Sequence, residues 1–240
     1  MQLKENQEFT KLLNLLKISF KDHQILQQAF YHRSYLNEVK LDIQSNERLE
    51  FLGDSILSLS VSEFLFSERV KDAEGDLTNL RAYIVQTKSL AQAAKKLNLG
   101  SYLHLSKGEK LGGGRENSQL LANTYEALLG AIYLDQGLSE VKRVIKDTLL
   151  ALFEKELEMG PPKDAKSSLQ EIAQERFKES PNYRIIRTKG PDHAKQFIVA
   201  VYLKDEELGI GEGGSKQIAE EQAAAKALER LTTFSLHERG

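Results

Sequence analysis

The chain has 240 residues, a formal charge of −2 and a pI near 6.3, so no global excess of positive charge marks it as a polyanion binder. With 40% hydrophobic and 28% charged residues it has the composition of a soluble protein of one large or two smaller domains. It contains no cysteine, which excludes disulfides, thiolate zinc sites and a cysteine nucleophile.

No apolar run approaches the roughly 18 residues of a membrane span, and Met1-Gln2-Leu3-Lys4-Glu5-Asn6 lacks the apolar core of a signal peptide. The expectation is a cytoplasmic protein with no membrane segment. Residues 7–158 read as mostly helical, opening with Leu12, Leu13, Leu15, Leu16 and Ile18 and continuing through an apolar segment over 25–35.

The next helix, expected over 45–66, carries the most informative stretch. At about 100° per residue, Glu47, Glu50 and Asp54 stand at i, i+3 and i+7 and share one face. Leu49, Phe51, Leu52, Ile56, Leu57 and Leu59 cover most of the remaining surface, which predicts a helix buried on several sides. Glutamates at this spacing usually form a solvated face, but such a face does not carry Phe and Leu between its acids. Clustered carboxylates in apolar surroundings repel one another, and Arg48 can neutralise only one of them. A hard divalent cation bound through oxygen is the commonest solution.

A further helix is expected over 76–97. Glu74 stands just before it, where a carboxylate also suits the helix dipole with no other role. Gly112-Gly113-Gly114-Arg115 reads as a flexible loop, because no Gly-Lys-Ser/Thr follows to make a phosphate cradle. The helix over 117–135 then presents Asn123 and Glu126 one turn apart among small and apolar residues. Read alone, that pair is structural. Beside Glu50 and Asp54 it completes a four-ligand oxygen cage suited to Mg²⁺ and to phosphodiester hydrolysis. A last helix over 138–157 closes an all-α domain.

Met159-Gly160-Pro161-Pro162-Lys163-Asp164 breaks the pattern, and residues 159–166 are expected to be a linker. Residues 167–234 form an α-β-β-β-α unit. Ser168-Leu169-Gln170-Glu171 reads as a capping box, strands follow over 183–189, 196–204 and 207–211, and Ser215 caps an alanine-rich helix over 219–231. Gly213-Gly214-Ser215-Lys216 imitates a nucleotide loop in composition only. Ser215 and Lys216 at a helix N-terminus attract phosphate, while Gln170, Glu171 and His193 suit ribose hydroxyls. Together they match shape recognition of an A-form duplex.

These residues carry a resemblance. Asn46-Glu47-Arg48-Leu49-Glu50-Phe51-Leu52-Gly53-Asp54-Ser55 resembles the signature of bacterial ribonuclease III, intact at every position. Tyr31-His32-Arg33-Ser34, Glu74-Gly75-Asp76 and the 121–135 stretch lie in matching order and spacing. Residues 164–232 resemble a double-stranded-RNA-binding domain. The resemblance implies a two-domain protein, an all-α endonuclease domain followed by an α+β RNA-binding domain. It implies a homodimer that cuts double-stranded RNA with Mg²⁺, or Mn²⁺ in its place, and leaves 5′-phosphate and 3′-hydroxyl ends with a short 3′ overhang. It further implies work on ribosomal and other structured transcripts. By the same resemblance, Glu50, Asp54 and Glu126 hold the metal, Glu47 and Glu74 shape the cleavage site, and Phe51 fits the partner subunit. Gln170, Glu171, His193 and Lys216 touch RNA.

Two positions depart from the pattern. Asn123 stands where the family usually has an acid; its carbonyl can still coordinate Mg²⁺, but without charge. Lys216-Gln217 replaces a Lys-Lys pair. The alternative reading is therefore a double-stranded-RNA-binding dimer whose catalysis is impaired by Asn123.

Overall fold

The computed structural model describes residues 9–39, 43–160, 164–191 and 195–237, with side chains to 231. The chain folds as two compact units, Met1–Pro161 and Pro162–Gly240. The first is helical: α1 Thr10–Leu16, α2 His23–Gln28, α3 Arg33–Leu36, α4 Glu47–Glu68, α5 Glu74–Val85, α6 Thr87–Lys96, α7 Lys107–Leu111, α8 Ser118–Gln136, α9 Leu138–Thr148 and α10 Glu154–Met159. Among the described residues of this unit, the one β feature is a parallel bridge between Tyr31 and His104.

The unit is built around α4 and α8. Helix α8 is capped by Asn117, whose side chain accepts from Gln119 N and Leu120 N. Beyond its first turn it is buried almost all round, through Leu121, Tyr125, Leu128, Leu129 and Ile132. Tyr125, fully buried, shares a 2.7 Å hydrogen bond with Thr148 Oγ1. Helix α4 contributes Leu49, Ile56, Leu57, Val61 and Leu65 to the same core. The two helices cross backbone to backbone. A Cβ on Gly53 would stand 1.8 Å from the Glu126 carbonyl oxygen, and one on Gly130 would stand 2.3 Å from that of Leu49. Only glycine at both positions permits this approach.

Three expectations for this unit are corrected. Helix α4 is not buried on all its apolar sides: Phe51 is 78% exposed, Phe66 75% and Leu59 55%, all along one face. The helix expected over 76–97 is two. Gln86, extended at ψ 153°, separates α5 from α6, and Gln86 Nε2 and Ser89 Oγ both donate to Tyr83 O. The helix expected over 138–157 breaks likewise. Leu149, Leu150 and Phe153 are all buried, and a 3₁₀ turn at Leu150–Leu152 turns them into one core before α10 begins. In both cases tertiary burial overrides a helical pattern that no Gly or Pro interrupts. The glycine stretch at 112–114 connects α7 to a 3₁₀ turn at Gly114–Glu116, with Gly112 and Gly113 exposed and Gly114 buried.

The second unit is α11 Ala165–Phe177, β1 Asn182–Lys189, β2 Gln196–Leu203, β3 Glu206–Gly213 and α12 Lys216–His237. The strands form one antiparallel sheet in the order β1-β2-β3. Helix α11 begins earlier than the Ser168 box suggests. Asp164 accepts from Ser167 N at 2.7 Å, so Ser168 is already inside the helix. An aspartate four residues ahead of the expected cap captures the free N–H groups first. Ser215 does receive Ile218 N, at 3.3 Å. Strand β3 runs longer than 207–211 because its glycines serve as packing surface. Cβ atoms on Gly209, Gly211 and Gly213 would fall 2.6 Å from Ala223 O, 2.1 Å from Ala219 O and 2.5 Å from Ile218 Cγ2 of α12. Leu169, Ala173, Val201, Leu203, Leu208, Ala223, Ala224 and Ala227 form the core beneath.

Candidate active site

The Gly53–Gly130 crossing brings two pairs of polar residues together. Glu50 and Asp54 bracket Gly53 on α4, and Glu126, whose carbonyl Gly53 abuts, sits with Asn123 on the facing side of α8. Their electrostatics record the proximity. The Glu126 carboxyl, ordinarily near 4.5, is pushed up to about 7, first by burial and then by the charges of Asp54 and Glu50. Glu50 is also pushed up, by burial and then by Glu47. The Asn123 side chain and the charge of Arg33 oppose that rise.

The N-terminal end of α4 is tied down by buried Asn46. Its Nδ2 donates to Ala29 O at 3.3 Å and its N–H to Tyr31 O at 2.9 Å. This fastens α4 to the chain just ahead of α3. The His32 side chain caps α3 by accepting from Ser34 N, and Ser34 Oγ accepts from Ser106 N at 3.1 Å. Burial of His32 in this corner lowers its pKa. Arg33 is thereby held 3.5 Å from Glu47, which also accepts from Ser45 Oγ. The pair is exposed and worth little to stability. Its importance is local, because Arg33 is the cation acting on Glu50.

Glu50, Asp54, Asn123 and Glu126 are thus neighbours, with Glu47 at their edge. Glu74 is not among the charges acting on Glu50 or Glu126. It lies in the first turn of α5, accepts from Thr78 Oγ1 at 3.0 Å, and lines a cleft with Leu59, Phe66 and Arg81. Phe51 projects beside the acids and begins the exposed apolar stripe completed by Leu59 and Phe66. Asn123 Oδ1 accepts from Gln119 Nε2 at 2.7 Å, so the carbonyl proposed as a ligand is already engaged.

The donor set suits a hard cation. Glu50 and Glu126, both raised by burial and by neighbouring acids, lower their energy when a divalent ion joins them and Asp54 through oxygen. Among the described residues no three His, Asp or Glu side chains already stand arranged as a ready ion site.

In the second unit, Gln170 and Glu171 are exposed on α11. Glu221 on α12 accepts from Ala165 N and Lys166 N, and Lys166 Nζ meets Glu220 Oε2 at 2.5 Å. These bonds set the first turns of the two helices side by side. Lys216 opens α12 with its Nζ 3.6 Å from Glu220 Oε1. His193 lies outside the described residues.

Residues 22–152 match the Ribonuclease-III-like family model. The chain belongs to the ribonuclease III family. Residues 165–231 match the double-stranded RNA binding motif. Curated relatives agree along nearly the whole length. The Ribonuclease 3 of Caldanaerobacter subterraneus is 44% identical over 92% of this chain and 97% of its own. That of Geobacillus kaustophilus is 44% identical over 95% and 93%. The crystallised nuclease domain of the Campylobacter jejuni ribonuclease III, reported with a flexible region involved in dimer formation, is 40% identical. It covers 61% of this chain and 99% of its own, with a TM-score of 0.57. This ribonuclease III chain is an endoribonuclease of double-stranded RNA, with a helical nuclease unit followed by an RNA-binding unit.

Residue reasoning passed over Gly53, Gly130, Arg33 and Gln119. Gln119 is one turn before Asn123 and was open to the same helical arithmetic. Arg33 had no such signal, since helical spacing does not relate it to Glu47.

Proposed function

We propose that this ribonuclease III acts as a homodimer that hydrolyses double-stranded RNA with Mg²⁺, Mn²⁺ being able to substitute. The products carry 5′-phosphate and 3′-hydroxyl ends with a short 3′ overhang. Processing of ribosomal precursors and structured messenger transcripts in the cytoplasm is the corresponding cellular role. The observation that carries the reading is the placement of Glu50, Asp54 and Glu126 beside one another at the α4–α8 crossing, with Glu126 raised to about 7 by burial and by the charges of Asp54 and Glu50.

Glu50, Asp54 and Glu126 are the residues that would hold the cation. When bound, it supplies charge neutralisation at the scissile phosphate and acidifies the attacking water. Glu47 and Glu74 border the cleavage site, and Arg33 offsets the negative field that an incoming phosphodiester meets. Phe51, Leu59 and Phe66 present an apolar stripe that a second subunit covers, in keeping with dimer formation by the Campylobacter jejuni nuclease domain. Gln170, Glu171, His193 and Lys216 contact the duplex, Lys216 through phosphate and the others through sugar hydroxyls. No helix among the described residues is long and apolar enough to cross a membrane.

The test is cleavage of a long duplex RNA by the full chain with Mg²⁺. The parent is expected to produce short duplexes. Glu126→Ala should lower the rate by about a hundredfold or more while leaving duplex binding intact. A Glu126→Ala protein that cuts like the parent overturns the assignment. A parent that binds duplex tightly yet leaves it whole supports the impaired-binder reading instead, which no observation here favours.

A further inference from the structure

The sheet of the RNA-binding unit has two faces, and its own helices cover one of them. Val201, Leu203 and Leu208 enter the core with α11 and α12, and Gly209, Gly211 and Gly213 receive α12. Alternation then turns Ile198, Ala200 and Tyr202 of β2 to the opposite face, together with Ile210 and Glu212 of β3. On β1, Arg184 lies over the Tyr202 ring, 4.9 Å from its centroid, and so shares that face. The bulge between Ile185 and Arg187 sets Arg187 across from Ile198, with Ile186 beside it.

This outer face is apolar along its middle and charged along its edges. Ile186 is 51% exposed and Ile210 37%, and half-buried Ile198 and Tyr202 join them across the strands. Arg184, Arg187 and Lys189 line β1. Glu207, which accepts from the Tyr202 hydroxyl at 3.3 Å, and Glu212 line β3. Arg187 and Glu212 have no salt-bridge partner among the described residues. A phosphate backbone laid on this face meets glutamates beside arginines. A second copy of the same face, turned over about a two-fold axis along β2, sets basic β1 on acidic β3 twice and stacks the isoleucines between them. Arg187 of each copy then opposes Glu212 of the other, because the two share a row through Ile198.

We propose that the outer sheet face of the RNA-binding unit is a self-association surface, occupied by the same face of a second copy of this chain. The helices that carry Gln170, Glu171 and Lys216 lie on the other side of the sheet, so pairing leaves those residues free. Three strands span about 10 Å by 25 Å, well short of the roughly 800 Å² per partner of a stable complex. The inference therefore rests on the homodimer reading above: paired nuclease units keep two such faces at about millimolar effective concentration.

The chain has no cysteine, so a single introduced one reports on this face. Gln196→Cys places a thiol on β2 near the axis and outside the isoleucine patch. With a bismaleimide of about 10 Å span, the usual distance between packed sheets, the full chain should cross-link to a second copy at least about fivefold faster than Glu175→Cys on exposed α11. In the Gln196→Cys background, Arg187→Glu and Glu212→Arg should each slow the reaction by about three- to tenfold, since each clash occurs twice across the axis. The double variant should recover the starting rate, and Arg187→Glu should leave duplex affinity unchanged. Cross-linking of Gln196→Cys no faster than that of Glu175→Cys overturns the proposal, as does a loss in the single variants that the double does not recover. A fall in duplex affinity with Arg187→Glu at an unchanged cross-linking rate assigns the arginines to RNA and overturns it too. A parent that sediments as a monomer brings down the homodimer reading, and this inference with it. A dimeric parent whose Gln196→Cys form stays unlinked brings down this inference alone.

Discussion

Both units of this ribonuclease III depend on glycines that let two backbones touch, yet the contacts do opposite work. In the second unit Gly209, Gly211 and Gly213 of β3 receive α12 along Ala219 and Ala223, and the contact shuts an apolar core. In the first unit Gly53 and Gly130 draw α4 and α8 equally close, but the residues beside them are Glu50, Asp54 and Glu126. One contact buries hydrocarbon and is stabilising throughout. The other buries acids and crowds their charges together, and the cost of both shows in the raised Glu126 and Glu50 carboxyls. The same packing device is structural where it meets alanine and chemical where it meets acid.

The largest effect should come from filling each contact. Gly53→Ala sets a methyl 1.8 Å from the Glu126 carbonyl oxygen, and Gly211→Ala sets one 2.1 Å from that of Ala219. Backbone cannot yield as a side chain does, so each should cost about 3 kcal/mol or more in its own unit. Gly53→Ala should abolish cleavage, because the helix that must move carries Glu126. Gly211→Ala should lower the melting of the RNA-binding unit while cleavage at saturating duplex survives. Calorimetric melts paired with cleavage rates check both. If Gly211→Ala abolishes cleavage at saturating duplex, the separation of roles between the two contacts fails.

A smaller effect sharpens the charge side of the comparison. A carboxyl raised in the fold from about 4.5 to about 7 binds its proton more tightly folded than unfolded. Its contribution to stability is therefore full below about pH 4.5 and is lost as pH rises to about 7. Without divalent cations the protein should lose stability across that window, and Glu126→Gln should flatten the loss. After solvent screening of a partly buried group the difference should be about 1–2 kcal/mol. Burial lowers His32, which acts in the opposite direction below its ordinary 6.5, so the parent-minus-variant difference is the quantity to read. Melts in a chelating buffer from about pH 5 to 8 supply it. Parallel curves for parent and Glu126→Gln would remove the crowding argument.

The acids of this site were legible one helix at a time. Helical periodicity alone puts Glu47, Glu50 and Asp54 on one face and pairs Asn123 with Glu126. What periodicity does not carry is how two helices meet, so Gly53 and Gly130 looked like any small residues in an apolar run. Nor does it say which apolar faces the chain covers by itself. Periodicity alone counts Phe51 and Leu59 with the core, and only the family resemblance gave Phe51 to a partner subunit; both stand exposed because the bundle of one chain packs against the other side of α4. Breaks at Gln86 and Leu149 were hidden for a related reason: buried residues on both sides of each break continue a helical pattern while tertiary contacts redirect the chain. In the second unit the strand and helix order was plain from alternation, but the cap of α11 fell to Asp164 because its carboxylate precedes Ser168 along the chain.

The smallest effect concerns the RNA-facing surface, where charge is exposed instead of crowded. Lys216 is 61% exposed on its side chain and lies 3.6 Å from Glu220 Oε1, so part of its charge is already answered within the protein. A lysine on phosphate releases about one counterion, so Lys216→Ala should reduce the slope of log affinity against log salt by a little under one. Partial pairing with Glu220 makes that an upper figure. Gln170→Ala, which removes a neutral group one helix away, should lower affinity by a few-fold at every salt concentration and leave the slope unchanged. Anisotropy titrations of a duplex at several salt concentrations distinguish the two. Equal slopes for Lys216→Ala and the parent would mean that the amino group serves Glu220, as the α11–α12 network of Lys166, Glu220 and Glu221 already does, and that phosphate is held by another group.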